Sequence, residues 1–356
     1  MGTQESALLW EQMDMGAITR DFDRLFPGFS FDGEAVFADI MQGNLWEAVK
    51  KLAGGLSGAV LFHRGEFRTL FFTILVLGVA AAFFTNFADL FQDHQVSDLA
   101  FYFIYLLLIA VLLRFFTNTA GTVREILQNV TTFIRLYIPT YILAVGSASG
   151  VASASAGYQL LLVVVYLIEW GYLTLLLPFV HVYVLLTVIN GIWTGEKLAL
   201  LLELVQKAVV GSVKASLWLI TGFSLLQSMI SPVIDSLQYM TVKRAVSAMP
   251  GLGDLTKGMF EMVMGSAVLV KNSLGLYMTL ALMALCAIPL LKIALTACVI
   301  KLSAALIGII SDKRLTNCVS RMGEGSLMLL KMAMTSVGMF VIQVAIITCS
   351  TGQAMR

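Results

Sequence analysis

Four ionisable side chains lie deep within apolar stretches of the sequence: Glu169, His181, Lys292 and Lys301. A charge is costly in such a place unless it is paired or reached by water, so these residues are functional candidates that can bind an ion, carry a proton or line a polar passage. Lys292 and Lys301 are nine positions apart. At about 100° per residue this spacing puts them on opposite faces of one helix. We therefore expect that they do not both line one narrow pore.

Each of these residues also has a plainer interpretation. His181 is more often a satisfied core histidine than a proton carrier. Lys301 can extend its stem toward Asp312 and the membrane interface. For Lys292, which lies close to Pro289, we expect a paired or cavity-facing amine.

The composition excludes an ordinary soluble protein. Of 356 residues, 58% are hydrophobic and 13% are charged, and the mean hydropathy is +0.87. Soluble domains carry roughly 25% charged residues, so the natural solvent of this chain is lipid. The net charge of +1 predicts no nucleic-acid partner. The four cysteines occur without a CxxC or Cys/His pattern, which favours packing over a disulfide framework or a metal site.

No motif for catalysis is apparent in the chain. We find no phosphate-binding glycine loop, nucleophile elbow or HExxH pattern. We therefore expect no enzyme, no catalytic residue, no cofactor and no bound metal.

Apolar runs of about 20 residues predict membrane-spanning helices. The interval from Leu136 to Trp193 is too long for one crossing and is expected to contain at least two, or one and a re-entrant piece. The basic residues before the first run and after the second place those two points on the cytoplasmic side. The clearest single runs are Thr69–Ala88, Leu99–Phe116, Ala215–Ile234, Asn272–Leu291 and the segment after Lys331.

The pattern divides the chain into four regions. Residues 1–65 are acidic and partly amphipathic, so we expect them outside the bilayer core, and the absence of an early apolar segment predicts no cleavable signal peptide. Residues 66–135 are expected to form the first two transmembrane helices. Residues 136–234 and 235–356 are expected to form two related membrane units.

A spacing of prolines suggests that the two membrane units are repeats. Pro139 and Pro178 are 39 residues apart, as are Pro250 and Pro289. Three residues after the second proline of each pair comes His181 or Lys292, and nine residues later comes Asn190 or Lys301. If the four prolines break helices, each unit has three crossings and the second unit is inverted, which gives about eight crossings in all. The alternative is ordinary proline kinks in long tilted helices.

Motifs in the second unit resemble the stage III sporulation protein AE family of endospore-forming bacteria. They are VLVKNSLG, IPLLKIALTACVIKLSAAL and SDKRLTNCV within Met249–Val319. LFPGFSFD at Leu25–Asp32 and the tract VGSASGVASASAGY are similar to the same family, so the likeness extends from Leu25 to the end. Members usually begin with an apolar segment that this sequence does not show, which leaves the membrane side of the N-terminal region open. Lys271 and Asn272, like Lys292 and Lys301, match polar positions of the family pattern and are candidate site residues.

The resemblance implies a multi-pass protein in the mother-cell-derived membrane around the forespore. It implies membership of a transenvelope channel or secretion-like apparatus with other products of the stage III sporulation operon, including a cytoplasmic ATPase and ring-forming subunits. It also implies support of late forespore gene expression. From the residues themselves, a stand-alone secondary transporter and a lipid-embedded scaffold remain as alternatives.

Overall fold

The structure, a computed structural model, describes residues 33–44, 46–48, 50–51, 64–88, 94–149, 163–192, 197–247 and 253–353. All regular secondary structure in these residues is helical, which confirms the predicted all-α class for this part of the chain. The helices are α1 Gly33–Met41, α2 Arg64–Ala88, α3 His94–Ser149, α4 Leu177–Ile192, α5 Ala199–Ser247, α6 Gly253–Ile307 and α7 Lys313–Gln353.

Five helical segments in the described residues are long and apolar enough to cross a membrane, and they indicate a membrane protein. The expected runs Ala215–Ile234 and Asn272–Leu291 lie inside α5 and α6, which are both longer than a single crossing requires. The total of about eight crossings therefore stays a prediction. The five candidate spans are Gly65–Phe84, Phe101–Arg135, Val163–Ile192, Cys286–Ile307 and Lys313–Gln343.

The predicted units do not begin and end with helices. Their boundaries after residues 135 and 234 fall inside α3 and α5. The division into units consequently remains a description of the sequence pattern.

Ring contacts fix the direction of the central helices. The Tyr105 hydroxyl of α3 donates to the Val188 carbonyl at 3.0 Å, and Phe116 lies edge-on to His181 with ring centroids 5.3 Å apart. Higher numbers on α3 therefore meet lower numbers on α4, so the two helices are antiparallel. Farther along α3, Phe133 packs on Phe340 of α7.

Glycines allow these helices to approach closely. A Cβ atom added at Gly191 would overlap the Tyr105 hydroxyl, and one added at Gly78 would meet Ile307. A Cβ atom at Gly325 would lie 2.9 Å from Val184. Small residues at such crossings let apolar surfaces meet without a gap, which is how helices associate in lipid.

The prolines disturb the helices less than expected. The chain stays helical on both sides of Pro139 in α3 and of Pro289 in α6, so the predicted break is absent at both positions. Proline removes one backbone hydrogen bond, and in lipid this loss is tolerated where neighbouring groups adjust. Pro250 lies outside the described residues.

Pro178 is accommodated by a change of helix type. Residues 163–171 are α-helical, Tyr172–Leu176 form a π-helical turn, and α4 follows without a gap. The Leu177 N–H donates to the Tyr172 carbonyl, which is the wider spacing of a π turn. The expected break at Pro178 is therefore a one-residue widening in a continuous helical span.

Candidate polar sites in the apolar helices

Lys301 lies in a polar cluster between α6 and α7. Its Nζ atom is 3.0 Å from Glu324 Oε1 and donates to Ser320 Oγ at 3.2 Å. The second carboxylate oxygen, Glu324 Oε2, accepts a hydrogen bond from the Tyr183 hydroxyl at 3.0 Å. This cluster joins α4, α6 and α7 through one carboxylate that accepts from two donors.

The cluster corrects the expected partner of Lys301. The amine pairs with Glu324 on the neighbouring helix and not with Asp312. Asp312 instead accepts the Arg314 backbone N–H at 2.7 Å, where it stabilises the start of α7.

Lys292 is paired on the opposite side of α6. Its Nζ atom is 3.2 Å from Glu66 Oε2 at the start of α2. The pair borders a cavity of about 20 Å³ that Asn118 and Thr122 of α3 also line. Lys292 therefore turns to α2 and Lys301 to α7, in agreement with the half-turn offset expected from their spacing.

Glu169 is the most enclosed carboxyl group among the described residues. Its side chain is 0% exposed, and neither oxygen has a hydrogen-bond partner in this part of the chain. Three residues lie close enough to interact with it electrostatically: Ser336 of α7, Cys286 of α6 and Tyr172. A carboxyl group without a partner in an apolar interior is costly, so its presence there points to a role other than packing.

Helix α7 contains further unsatisfied polar groups, of which Ser336 lies close to Glu169. Ser336 Oγ and both polar atoms of Gln343 are buried without a partner among the described residues. Tyr172, which begins the π turn, shares a hydrogen bond with Ser216 of α5. π turns are frequent at functional sites. The π turn before Pro178 lies close to Glu169 in the same span, so both features point to this part of the molecule as a candidate site.

His181 has the plainer role. Its Nδ1 atom lies 2.8 Å from the Leu177 carbonyl, and its ring packs on Phe116. The imidazole is thus satisfied within its own helix and its apolar contact.

Asn190 makes a contact between the end of α4 and the start of α5. Its Oδ1 atom accepts the Leu198 N–H at 2.9 Å, which ties the end of α4 to the start of α5. Lys271 and Asn272 belong to α6, but their side chains lie outside the described residues.

Several partners in these sites were missed by sequence reasoning. Glu66, Tyr183 and Ser336 carry no distinctive local signal. Glu324 did carry one, because it is the only Asp or Glu in the α7 sequence, and a lone acid in an apolar helix predicts a basic partner.

The pair of Glu203 and Lys207 is separate from these sites. Lys207 Nζ lies 2.7 Å from Glu203 Oε1 on the exposed surface of α5 and lowers the pKa of that carboxyl group. Both groups are solvated, so the pair stabilises the fold little.

Long apolar helices with ionisable groups enclosed between them define an all-helical membrane protein. The family model for stage III sporulation protein AE matches residues 31–351, and the chain belongs to this family. The chain is 23% identical over 236 residues to stage III sporulation protein AE of Bacillus subtilis (strain 168). That alignment covers 66% of this chain and 59% of the relative, so it spans about three fifths of the relative's length. No solved structure matches the fold. Family membership supports a role in sporulation.

Proposed function

We propose that the protein is an integral membrane subunit of a channel or secretion-like complex that links mother cell and forespore. In this proposal it lies in the mother-cell-derived membrane around the forespore and supports late forespore gene expression. Its partners are other products of the stage III sporulation operon, including a cytoplasmic ATPase and ring-forming subunits. Membership of the family over residues 31–351 is the observation that carries the proposal.

The enclosed polar groups support a subunit that gates or lines a passage. Glu169, Ser336 and Gln343 leave polar atoms unsatisfied within an apolar interior. Such groups are retained in membrane proteins where an ion, water or a second conformation meets them. In this proposal they do so without catalysis.

The inverted repeat belongs to the same proposal. Each proposed unit has a proline-containing helical span, a short connection and a following long helix. In the first unit these are Val163–Ile192 and α5, and in the second they are α6 and α7. The shared order supports a repeat. Because the helices are unbroken at Pro139, Pro178 and Pro289, this order does not supply the three crossings that would invert the second unit, and the relative direction of the units stays a prediction.

Purification from sporulating cells tests the assembly. A tagged chain that supports sporulation is cross-linked in the membrane and isolated, and the proteins recovered with it are identified. We expect to recover the operon's ATPase and ring-forming subunits with the chain. In cells that lack the chain, we expect a reporter of late forespore gene expression to stay inactive. Recovery of the chain without these proteins, from cells in which they are present, would contradict the proposal. An unrelated tagged membrane protein of the same cells is the control.

The enclosed carboxyl group also favours a second candidate, a secondary transporter with a midplane substrate or ion site at Glu169. Reconstitution separates the two candidates. A transporter moves solute when it is the only protein in the vesicle, whereas a channel subunit is inert without its partners. Solute flux that Glu169→Gln abolishes would favour the transporter. A scaffold that only anchors the complex would assemble normally with Glu169 replaced.

A further inference from the structure

One face of α3 is polar over the second half of a candidate membrane span. We call it the α3 polar face. Its members are exposed. As far as Gln128 they recur every three or four residues, as one face of an α-helix does, and Arg135 follows two turns later on the same face. It consists of Arg114, Thr117, Asn118, Gly121, Arg124, Glu125, Gln128 and Arg135.

The opposite face of the same helix is a normal core face. Phe116, Val123, Leu127 and Phe133 are each 2% exposed or less. The α3 polar face is therefore not a consequence of a loosely packed helix. It begins at Arg114, near the end of the apolar run Leu99–Phe116, and continues to Arg135 at the end of the candidate span.

The helix beside α3 presents apolar side chains at the same level. Phe116 contacts His181 and Arg135 contacts Tyr166, so residues 116–135 of α3 lie alongside residues 166–181. Between those contacts, Trp170, Leu175 and Phe179 are 49–55% exposed. Such a surface requires lipid, whereas the α3 polar face at that level requires water.

A shallow groove, open to the outside, runs along the α3 polar face. It measures about 460 Å³, and all of its lining residues belong to α3: Arg114, Thr117, Asn118, Gly121, Thr122 and Glu125. Asn118 and Thr122 also line the small cavity that contains the Lys292–Glu66 pair. The groove therefore adjoins a charged pair that lies between α2, α3 and α6.

The charges of this face favour anions. The face carries three arginines, Arg114, Arg124 and Arg135, and one carboxylate, Glu125. Among the described residues, neither Arg114 nor Arg124 takes part in an ion pair. The groove itself is lined by one cation, Arg114, and one carboxylate, Glu125, so the excess positive charge of the face lies beside it at Arg124 and Arg135. An excess of cations beside apolar surface concentrates anions.

We propose that the α3 polar face lines a water-filled cleft that enters the membrane and admits small anions as far as the Lys292–Glu66 pair. This inference rests on the proposed channel function and identifies the wall that solutes contact.

Cysteine labelling tests the cleft in membranes from sporulating cells. In a functional chain whose native cysteines are replaced by alanine, Gly121→Cys and Gln128→Cys probe the α3 polar face. At Gly121 an added Cβ meets no atom within 4 Å, so this substitution fits the structure. Leu175→Cys is the matched control on the apolar surface at the same level.

We expect charged methanethiosulfonate reagents to modify both α3 positions, about tenfold faster than Leu175→Cys. Leu175→Cys should react with a lipid-soluble maleimide instead. A negatively charged reagent should modify Gly121→Cys faster than a positively charged one, after correction for their rates with a free thiol. Arg124→Gln should reduce that preference.

Two results would overturn the proposal. Unreactive cysteines at both α3 positions, in chains that accumulate normally, would mean that no water reaches this face. Equal aqueous labelling of Leu175→Cys would mean that this level lies outside the membrane. Neither result depends on which proteins co-purify with the chain, so failure of the cleft and failure of the proposed assembly are distinguishable.

Discussion

At the residue scale, the sequence identified charged residues inside apolar helices but not their partners. Glu169, Lys292 and Lys301 stand out because a charge in an apolar run is a local signal. Their neighbours Glu66 and Ser336 depend on how separate helices pack, which no local pattern records. For each of these contacts, the sequence therefore predicted one of the two residues but not its partner.

The Lys301–Glu324 pair predicts a coupled loss of stability. Lys301→Met removes the amine 3.0 Å from the Glu324 carboxylate, and Glu324→Gln removes the charge that the amine meets. Each side chain is about one third exposed, so we expect a coupling energy of about 1 kcal/mol in a double-mutant cycle. Thermal unfolding of the purified protein in detergent measures it. Additive effects of the two substitutions would show that the pair does not hold α6 to α7.

The enclosed carboxyl group predicts opposite effects on stability and on function. Glu169→Met removes a fully buried polar group that has no partner among the described residues, so we expect about 1 to 3 kcal/mol of added stability. Spore yield should nevertheless fall. Leu175→Met, on the exposed apolar side of the same span, is the control for both measurements. A variant that unfolds at a lower temperature would show that the carboxyl group stabilises the fold.

At the element scale, the helical class followed from composition, but the proline breaks did not. An apolar chain can satisfy its backbone in lipid only as helices or closed barrels, so long apolar runs determine the class. A proline such as Pro289 removes only one hydrogen bond. Whether the helix ends, bends or widens depends on its neighbours, as the π turn before Pro178 shows.

Close helix crossings predict a size limit at Gly191. A methyl group there would overlap the Tyr105 hydroxyl, which donates to Val188. We expect Gly191→Ala to cost about 1 to 3 kcal/mol in thermal unfolding. Gly171→Ala is the matched control, because an added Cβ at Gly171 meets no atom within 4 Å. Equal unfolding temperatures for the two variants would contradict the close crossing of α3 and α4.

At the scale of the whole molecule, the number of crossings was the least predictable feature. Hydropathy reports which residues prefer lipid, but α3, α5 and α6 continue well past one crossing. Where a long helix leaves the membrane depends on the packing of its neighbours and on partners. The repeat is hard to predict for the same reason, because recognising it requires the direction in which each unit crosses the membrane.

The helix lengths predict protein mass outside the lipid. α3 has 56 residues and is about 84 Å long at 1.5 Å per residue. Even at a tilt of about 40°, a hydrocarbon layer of about 30 Å holds only about 39 Å of it. Electron microscopy of the purified protein in lipid nanodiscs should show helical density beyond the disc surface. Particles confined to the thickness of the disc would mean that α3 bends back within the lipid.

A long helix such as α3, held by its neighbours over only part of its length, can amplify small rotations at its unheld end. If the 14 residues of α3 that follow Arg135, about 21 Å of helix, project beyond its contacts with Tyr166 and Phe340, a rocking of the helix by about 10° displaces its end by about 4 Å. Small rotations of α3 that leave its packing at Tyr105 intact would therefore cause larger displacements at its end, where soluble proteins can bind the helix.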